Sequence, residues 1–548
     1  MNVAAAVGTA LAGLGVRTVF GVVGSGNFHV TNALTAGGAR FVAARHEAGA
    51  AVMADAYARV SGEAGVVSVH QGPGLTNAVT GITEAAKSRT PLLVLAGEAA
   101  ASAVRSNFRI DQGALAAAVG AVPERVHSPA SAAEDVARAW RTAVCERRTV
   151  LLNLPLDVQA AEAPRPFEVP RPAPVHHPVP SAASVAELAD ALAAARRPVF
   201  IAGRGARLAG AGEPLRVLAE RTGALLATSA VARGLFLGDP YDLDVSGGFA
   251  TPLAAELIRG ADLLVGWGCA LNMWTLRHGT LVGEKTVVAQ VDLEPAELGA
   301  HRRADVAVTG DAAGTAQAVE AELARRGHGS RGYRLPGLAE RLAREGRWRH
   351  VPHTDASTAD RIDPHLLTTA LDDLLPAERT VAVDSGNFMG HPAVFLSVPD
   401  ADGLVFTQAF QSIGLGLATA IGAALARPDR LTVAALGDGG ALMGVAELET
   451  AVRLRLGLLI AVYDDEAYGA EVHHFGPFGH PLDTVTFPPA DLAAIARGFG
   501  CTAATVRTRA DLAAVDDWLA GPRDSPLLLD AKVVRRSSWW LEEAFRGH

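Results

Sequence analysis

Short β-branched runs recur along the whole chain, each followed by an Ala/Leu-rich segment of helical character. RTVFGVV, GVVSVH and PLLVLAG come early, PVFIAG, DLLVGWG and TVVAQVD in the middle, and RTVAVDSG, LTVAALGDGG and LLIAVYDD towards the end. A strand apolar on both faces must be covered on both, and strands separated by helices are joined by crossovers. The pattern therefore demands parallel α/β sheets. Two proline-rich or polar stretches, APRPFEVPRPAPVHHPVPS (163–181) and HVPHTDASTADRIDP (350–364), divide the runs into three groups. Proline at that density fixes φ and removes backbone donors, so both stretches read as linkers. The expected fold is α/β, with three consecutive doubly wound parallel-sheet domains at 1–162, 183–345 and 365–548 and linkers at 163–182 and 346–364.

The chain has 548 residues, of which 49% are hydrophobic and 20% charged, enough apolar material for several cores and too much for a disordered chain. With 49 Lys+Arg against 58 Asp+Glu the net charge is −9, which argues against nucleic acid or an anionic membrane as partner. Cys145, Cys269 and Cys501 are too scattered for a disulfide framework or a zinc site. The apolar start, MNVAAAVGTALAGLGV, lacks a basic leader and runs directly into a strand, so it reads as a packed helix rather than a signal peptide. No run of about 18 apolar residues suggests a membrane span, and a cytoplasmic location is expected.

Four strand ends run into glycine: GVVGSGN (21–27), HQGPGLTN (70–77), GRGARLAGAG (203–212) and LGDGGALMG (436–444). Open α/β sheets bind ligands at the carboxyl ends of their strands, although any one of these turns serves equally as a packing turn. The last is more demanding. Asp438 stands at one strand tip and Asp465, in DDEAYG, at the next. Two carboxylates at neighbouring tips can share a hard cation such as Mg²⁺, completed by diphosphate oxygens; the alternative is that each caps its following helix. Glu47, in RHEAGAAVMADAYAR, begins an otherwise apolar helix. It is either a desolvated carboxylate fit for proton exchange or a surface contact with the helix dipole.

Taken together, these segments resemble the thiamine-diphosphate-dependent 2-oxo acid decarboxylases and carboligases of the acetolactate synthase type. RHEAGAAVMADAYAR with GPGLTN is similar to that family's pyrimidine-binding domain, PVFIAGRGA through VVAQVDLEP to its central domain, and DSGN, SIGLGLATAIGAALA and GDG-to-DDEAYG to its diphosphate-binding domain. The resemblance implies that Glu47 bonds N1′ of the aminopyrimidine and promotes its imino form. It implies that Ile413 forces the cofactor into a V shape, with the Gln411 carbonyl accepting from the 4′-amino group. Asp438, Asp465 and the Ala467 carbonyl would bind Mg²⁺, while Gly386, Asn387, Gly437, Gly439, Gly440, Tyr468 and Gly469 would line the diphosphate. It further implies a homodimer or homotetramer, with active sites between subunits.

Three residues bear on the reaction. Glu471 matches a catalytic glutamate of pyruvate decarboxylases, His70 the histidine of benzoylformate decarboxylases, and Gln112 resembles the active-site glutamine of benzaldehyde lyase. Each also has a plain structural reading: a solvated helix face, a strand-end hydrogen bond and a surface turn. His29, Trp274 and one of the adjacent His473 and His474 are pocket candidates without a motif. The sequence departs from the family at Asp465, where asparagine is usual. It also lacks the lysine and tryptophan of the branched-chain-amino-acid synthases, carrying VPERVHSP and EVHHFGP in those regions. The favoured reading is a carboligase that decarboxylates a 2-oxo acid and passes the acyl carbanion to an aldehyde or a second 2-oxo acid. The alternatives are a decarboxylase releasing aldehyde, an FAD-dependent oxidase with flavin at the central glycines, and a non-catalytic cofactor-binding protein. The carboxy-terminal RRSSWWLEEAFRGH, with Trp539 and Trp540, reads either as a cover for the site or as a docked helix.

Overall fold

In the computed structural model, residues 1–541 are described; 542–548, the end of the carboxy-terminal segment singled out above, lie outside them. The described residues form three six-stranded sheets, all parallel, flanked by helices. The first comprises β1 (Thr18–Gly21), β2 (Arg40–Ala43), β3 (Gly65–Val69), β4 (Leu92–Glu98), β5 (Val122–Arg125) and β6 (Thr149–Pro155). The second comprises β7 (Pro198–Ala202), β8 (Leu225–Thr228), β9 (Asp242–Val245), β10 (Leu263–Trp267), β11 (Val287–Asp292) and β12 (Val306–Thr309). The third comprises β13 (Arg379–Val383), β14 (Leu404–Phe406), β15 (Leu431–Gly437), β16 (Leu458–Asp464), β17 (Thr502–Val506) and β18 (Leu527–Lys532). The apolar runs fall on the central strands, and β3, β7, β10, β13, β16 and β18 are buried throughout.

The first and third sheets share one strand order, β2-β1-β3-β4-β6-β5 and β14-β13-β15-β16-β18-β17. The second runs β12-β11-β10-β7-β8-β9. The first and third are joined by one cluster of buried side chains, in which helix Glu47–Ser61 packs on helix Gly416–Ala426. Those two helices hold equivalent places, each between the second and third strand of its sheet, so the pair is related by a local pseudo-twofold. The expected amino-terminal helix forms at Val3–Gly13 and packs in the first domain through Val3, Val7 and Leu11. Residues 166–181 have no helix or strand. The three cysteines are free, and no helix among the described residues is long and apolar enough to cross a membrane.

Candidate active site

A doubly wound sheet opens a crevice where its strand order reverses, and ligands sit there at the carboxyl ends. In the third sheet that point lies between β13 and β15. The register pairs Gly437 with Tyr463, which brings the tips of β15 and β16 side by side. Asp384 to Asn387 follow β13, Asp438 follows β15 and Asp465 follows β16, so three adjacent strand ends converge on one place. They open into a cavity of about 2100 Å³ lined by Gly386, Asn387, Gln411, Ile413, Gly437, Asp438, Gly439, Gly440, Asp465, Ala467, Tyr468, Gly469 and Glu471. Every residue expected to hold the diphosphate half of the cofactor is on that wall.

The electrostatics suit a cation. Burial and the neighbouring charges of Asp465 and Asp464 push the Asp438 carboxyl up to about 8. Burial also pushes Asp465 up to about 7, against the pull of Arg535. Carboxylates held this way favour protons or a metal over remaining bare. Among the described residues no cluster of three or more His, Cys, Asp or Glu could hold a metal. Two carboxylates and the Ala467 carbonyl would therefore need phosphate oxygens to complete a shell, as Mg²⁺ sites commonly do. Glycines line the same wall. A Cβ on Gly469 would stand 2.4 Å from Asp465 Oδ2, and one on Gly440 2.5 Å from Asp384 Oδ2, so these glycines let the backbone pack closely on the carboxylates. The residues fit a metal-bridged diphosphate.

The backbone beside this wall is held in sparsely populated geometry. Gln411 has φ +61° and Glu466 has φ +58°, both left-handed for side chains that disfavour it. Gln411 lies two residues before Ile413; Glu466 lies between Asp465 and Ala467. Asp384, which the sequence reading passed over, orders the first of these loops. Its Oδ2 accepts from Gly414 N at 3.0 Å and its Oδ1 from Leu415 N at 3.2 Å, while burial raises it to about 6. A lone aspartate at a strand end carried no signal that it would hold a loop 30 residues away. Asn387 is less free than expected. Its amide donates to Arg536 O at 2.8 Å, and its backbone carbonyl accepts from Ser538 Oγ at 2.6 Å. The carboxy-terminal segment is thereby fastened beside the cavity, and Trp540, with Trp274, lines it.

The first-domain residues lie elsewhere. Glu47, His70 and Gln112 are absent from the wall that carries Asp438 and Asp465. Glu47 is the first residue of helix Glu47–Ser61 and accepts from Asn77 Nδ2 at 3.0 Å. It is half-buried in the single chain, so the full desolvation expected of it is not present there. His70 Nδ1 is 2.8 Å from Gln71 O and its Nε2 3.3 Å from Ser25 Oγ. Gln112 is not a surface turn residue: it is 2% exposed. Its Oε1 accepts from Gly72 N at 3.0 Å, and its Nε2 donates to Gly97 O at 2.9 Å and Asn153 Oδ1 at 2.7 Å. That amide is consumed by the fold. Glu471 and His474 line the cavity; His473 does not, and its buried Nε2 has no partner. His29 is exposed and off the wall. In the middle domain, a Cβ on Gly203 would stand 2.4 Å from Gly268 O, so close backbone packing accounts for glycine there.

Three tandem parallel sheets, with a glycine-lined crevice holding two buried carboxylates on the third and a helix-starting glutamate on the first, define a cofactor-dependent enzyme whose first and third domains share one strand order. Comparison with known proteins agrees. Residues 1–119 match the thiamine pyrophosphate enzyme N-terminal TPP binding domain, 185–319 the central domain and 384–531 the C-terminal TPP binding domain. The chain is 33% identical over 510 residues to a probable 2-ketoarginine decarboxylase of Pseudomonas aeruginosa, covering 90% of this chain and 87% of that one. It is 28% identical over 548 residues to the acetolactate synthase isozyme 2 large subunit of Escherichia coli, covering 98% and 97%. It is 30% identical over 493 residues to a sulfoacetaldehyde acetyltransferase of Alcaligenes xylosoxydans xylosoxydans, covering 83% and 80%. The chain belongs to the thiamine pyrophosphate enzyme family and is a thiamine-diphosphate-dependent carboligase or decarboxylase of the acetolactate synthase-like branch.

Proposed function

We propose that the protein decarboxylates a 2-oxo acid with thiamine diphosphate and Mg²⁺ and releases the aldehyde. The observation that carries this reading is the cavity wall, where Glu471 and His474 bring proton-bearing groups to the same space as Asp438 and Asp465. Bound thiamine diphosphate supplies the electron sink for the carbon left when CO₂ departs. Asp438, Asp465 and the Ala467 carbonyl would hold Mg²⁺ and orient the diphosphate. The loop of Gln411 and Ile413 would position the pyrimidine end, and Glu47 from a second copy of the chain would hold a proton against it. Glu471 and His474 govern whether the product carbon is protonated.

The sequence favours transfer to a second carbonyl, and that remains the second reading, since relatives are named acetolactate synthase and sulfoacetaldehyde acetyltransferase. The residue that favoured ligation was Gln112, whose amide is now engaged in the fold. A further occupant, FAD, suits the middle-domain wing of the cavity. Arg147, Arg148 and Arg204 line that wing and give it basic groups for an anionic cofactor, while Arg89 beside them is paired with Glu297 at 2.6 Å.

The active unit is at least a dimer and works in the cytoplasm. Glu47 does not line the cradle of its own chain, and both domains expose apolar side chains: Phe28 and Phe108 in the first, Phe410, Met443 and Phe475 in the third. Exposed apolar groups of this kind mark contact surfaces. A symmetric pair would bring each glutamate to the partner's cradle. The test is a ¹³C NMR time course with thiamine diphosphate, Mg²⁺ and labelled 2-oxo acids, pyruvate and 2-ketoarginine among them, with and without an acceptor aldehyde. Aldehyde and CO₂ alone are expected. Acyloin or acetolactate signals would assign ligation instead, and no CO₂ from any 2-oxo acid would overturn the proposal.

A further inference from the structure

Two buried glutamates cross between the first and third domains in opposite directions. Glu447 is 2% exposed, on helix Glu447–Arg453 of the third domain. Its Oε1 accepts from Arg45 N and His46 N, each at 3.0 Å, and Thr450 Oγ1 donates to its Oε2 at 2.6 Å. Those two amides immediately precede Glu47. His46 is the N-cap of the helix that Glu47 begins, and its own ring accepts from Ala48 N at 3.1 Å. A Cβ on Gly49 would stand 2.4 Å from Glu447 Oε1, so the helix start lies directly against the carboxylate.

Glu84, fully buried on helix Pro73–Lys87 of the first domain, does the reverse. It accepts from Phe410 N at 2.7 Å and Ala409 N at 3.3 Å, the residues leading into Gln411 and Ile413. Arg59 Nη2 donates to the same carboxylate at 2.8 Å, and its Nε donates to Asp55 at 3.0 Å. One guanidinium faces two buried carboxylates, which leaves one negative charge for the loop amides to satisfy. The two elements are equivalent under the pseudo-twofold: each glutamate lies on the helical segment after its sheet's third strand. Each holds the segment between the second strand and following helix of the other sheet.

We infer that Glu447 and Glu84 are positioning residues forming a reciprocal clamp: Glu447 aims Glu47, and Glu84 fixes the Gln411–Ile413 loop. The inference rests on the role proposed for Glu47 above. Buried charge-assisted bonds to consecutive amides fix a helix start more firmly than a solvated cap does. Displacement of a reacting group by about 1 Å costs on the order of 10²-fold in rate. The clamp therefore sets catalytic geometry without touching cofactor or substrate.

The test compares wild type, Glu447→Ala, Glu447→Gln, Glu84→Ala and Glu47→Gln by two readouts. The first is amide hydrogen exchange of the cofactor-free protein in peptides covering 45–46 and 409–410. The second is the rate of proton exchange at the thiazolium C2 of bound cofactor, read by NMR after quenching. Glu447→Ala is expected to lose protection at 45–46 only and to slow C2 exchange on the order of 10²-fold. Glu447→Gln keeps an acceptor oxygen and is expected to retain both within a few-fold; should the alanine variant not fold, parity of this glutamine variant with wild type carries the test. Glu84→Ala is expected to lose protection at 409–410 and to weaken cofactor binding roughly 10-fold. Wild-type C2 exchange in Glu447→Ala, or a glutamine variant with intact protection but slowed exchange, would overturn the clamp. Wild-type exchange in Glu47→Gln would instead sink the role of Glu47, leaving the protection results to stand alone.

Discussion

The first and third sheets have the same strand order, yet their crevices hold different things. In the first, the loops after β1 and β3 close on each other. A Cβ on Gly24 would stand 2.5 Å from the His70 ring, one on Gly26 1.5 Å from Gln71 Oε1, and Asn27 Nδ2 donates to Ser68 Oγ at 3.0 Å. The chain fills its own crevice. In the third, the loops after β13, β15 and β16 carry glycines and two carboxylates, Asp438 and Asp465, whose protonated forms burial favours, around open space. Topology makes the crevice in both; the side chains at the strand tips decide whether protein or ligand occupies it. On the role proposed for Glu47, the first domain contributes through the half-buried helix start where that residue stands, and not through its crevice.

The sharpest way to break this division of labour is Glu47→Gln. Thiamine diphosphate binding, measured by calorimetry, should persist, while kcat falls by about 10²–10⁴. Turnover like wild type would mean that the first half supplies no chemistry. Next in size is Asp438→Asn, expected to weaken Mg²⁺-dependent cofactor binding by about 10–100-fold in the same titration. An unchanged affinity would empty the third crevice of its assigned role. Gln112→Ala tests the opposite assignment within the first half. Unfolding should be destabilised by about 1–3 kcal/mol, from partners left unsatisfied in denaturant melts, with kcat per folded molecule unchanged. A large kcat loss at wild-type stability would return Gln112 to the chemistry.

The smallest effect concerns the carboxy-terminal segment that follows the third domain. Burial pushes His391 from 6.5 down to about 3, and burial with the neighbouring His353 pushes His365 down to about 4. His391 packs edge-on against Trp539 at 5.3 Å, and its Nδ1 has no partner. The folded state binds fewer protons than the unfolded chain below about pH 6.5, so this stability is present above that pH and is lost as pH falls from there toward 3–4. Tryptophan fluorescence should report loosening of the segment in mild acid, and His391→Phe should shift that transition to lower pH. An unmoved transition would separate the histidine from the segment.

Much of this was legible from residue order alone. Buried β-branched runs dictated parallel sheets because an apolar strand has no other way to cover two faces. The GDG and DDEAYG spacing placed two carboxylates on neighbouring tips, and the register bears this out. Glu447 escaped notice because nothing local in ELETAVRLRL says that its carboxylate meets residues 45–46. Gln112 shows the same limit: an amide looks alike whether it faces substrate or, as here, three backbone and side-chain partners. What the sequence by itself determined is the strands, their glycine-and-acid tips and the family they compose, since these depend on local pattern. What only the tertiary structure decided is which side chains are free to act, because partnership across hundreds of residues is fixed by packing and hydrogen-bond satisfaction, which no local pattern encodes.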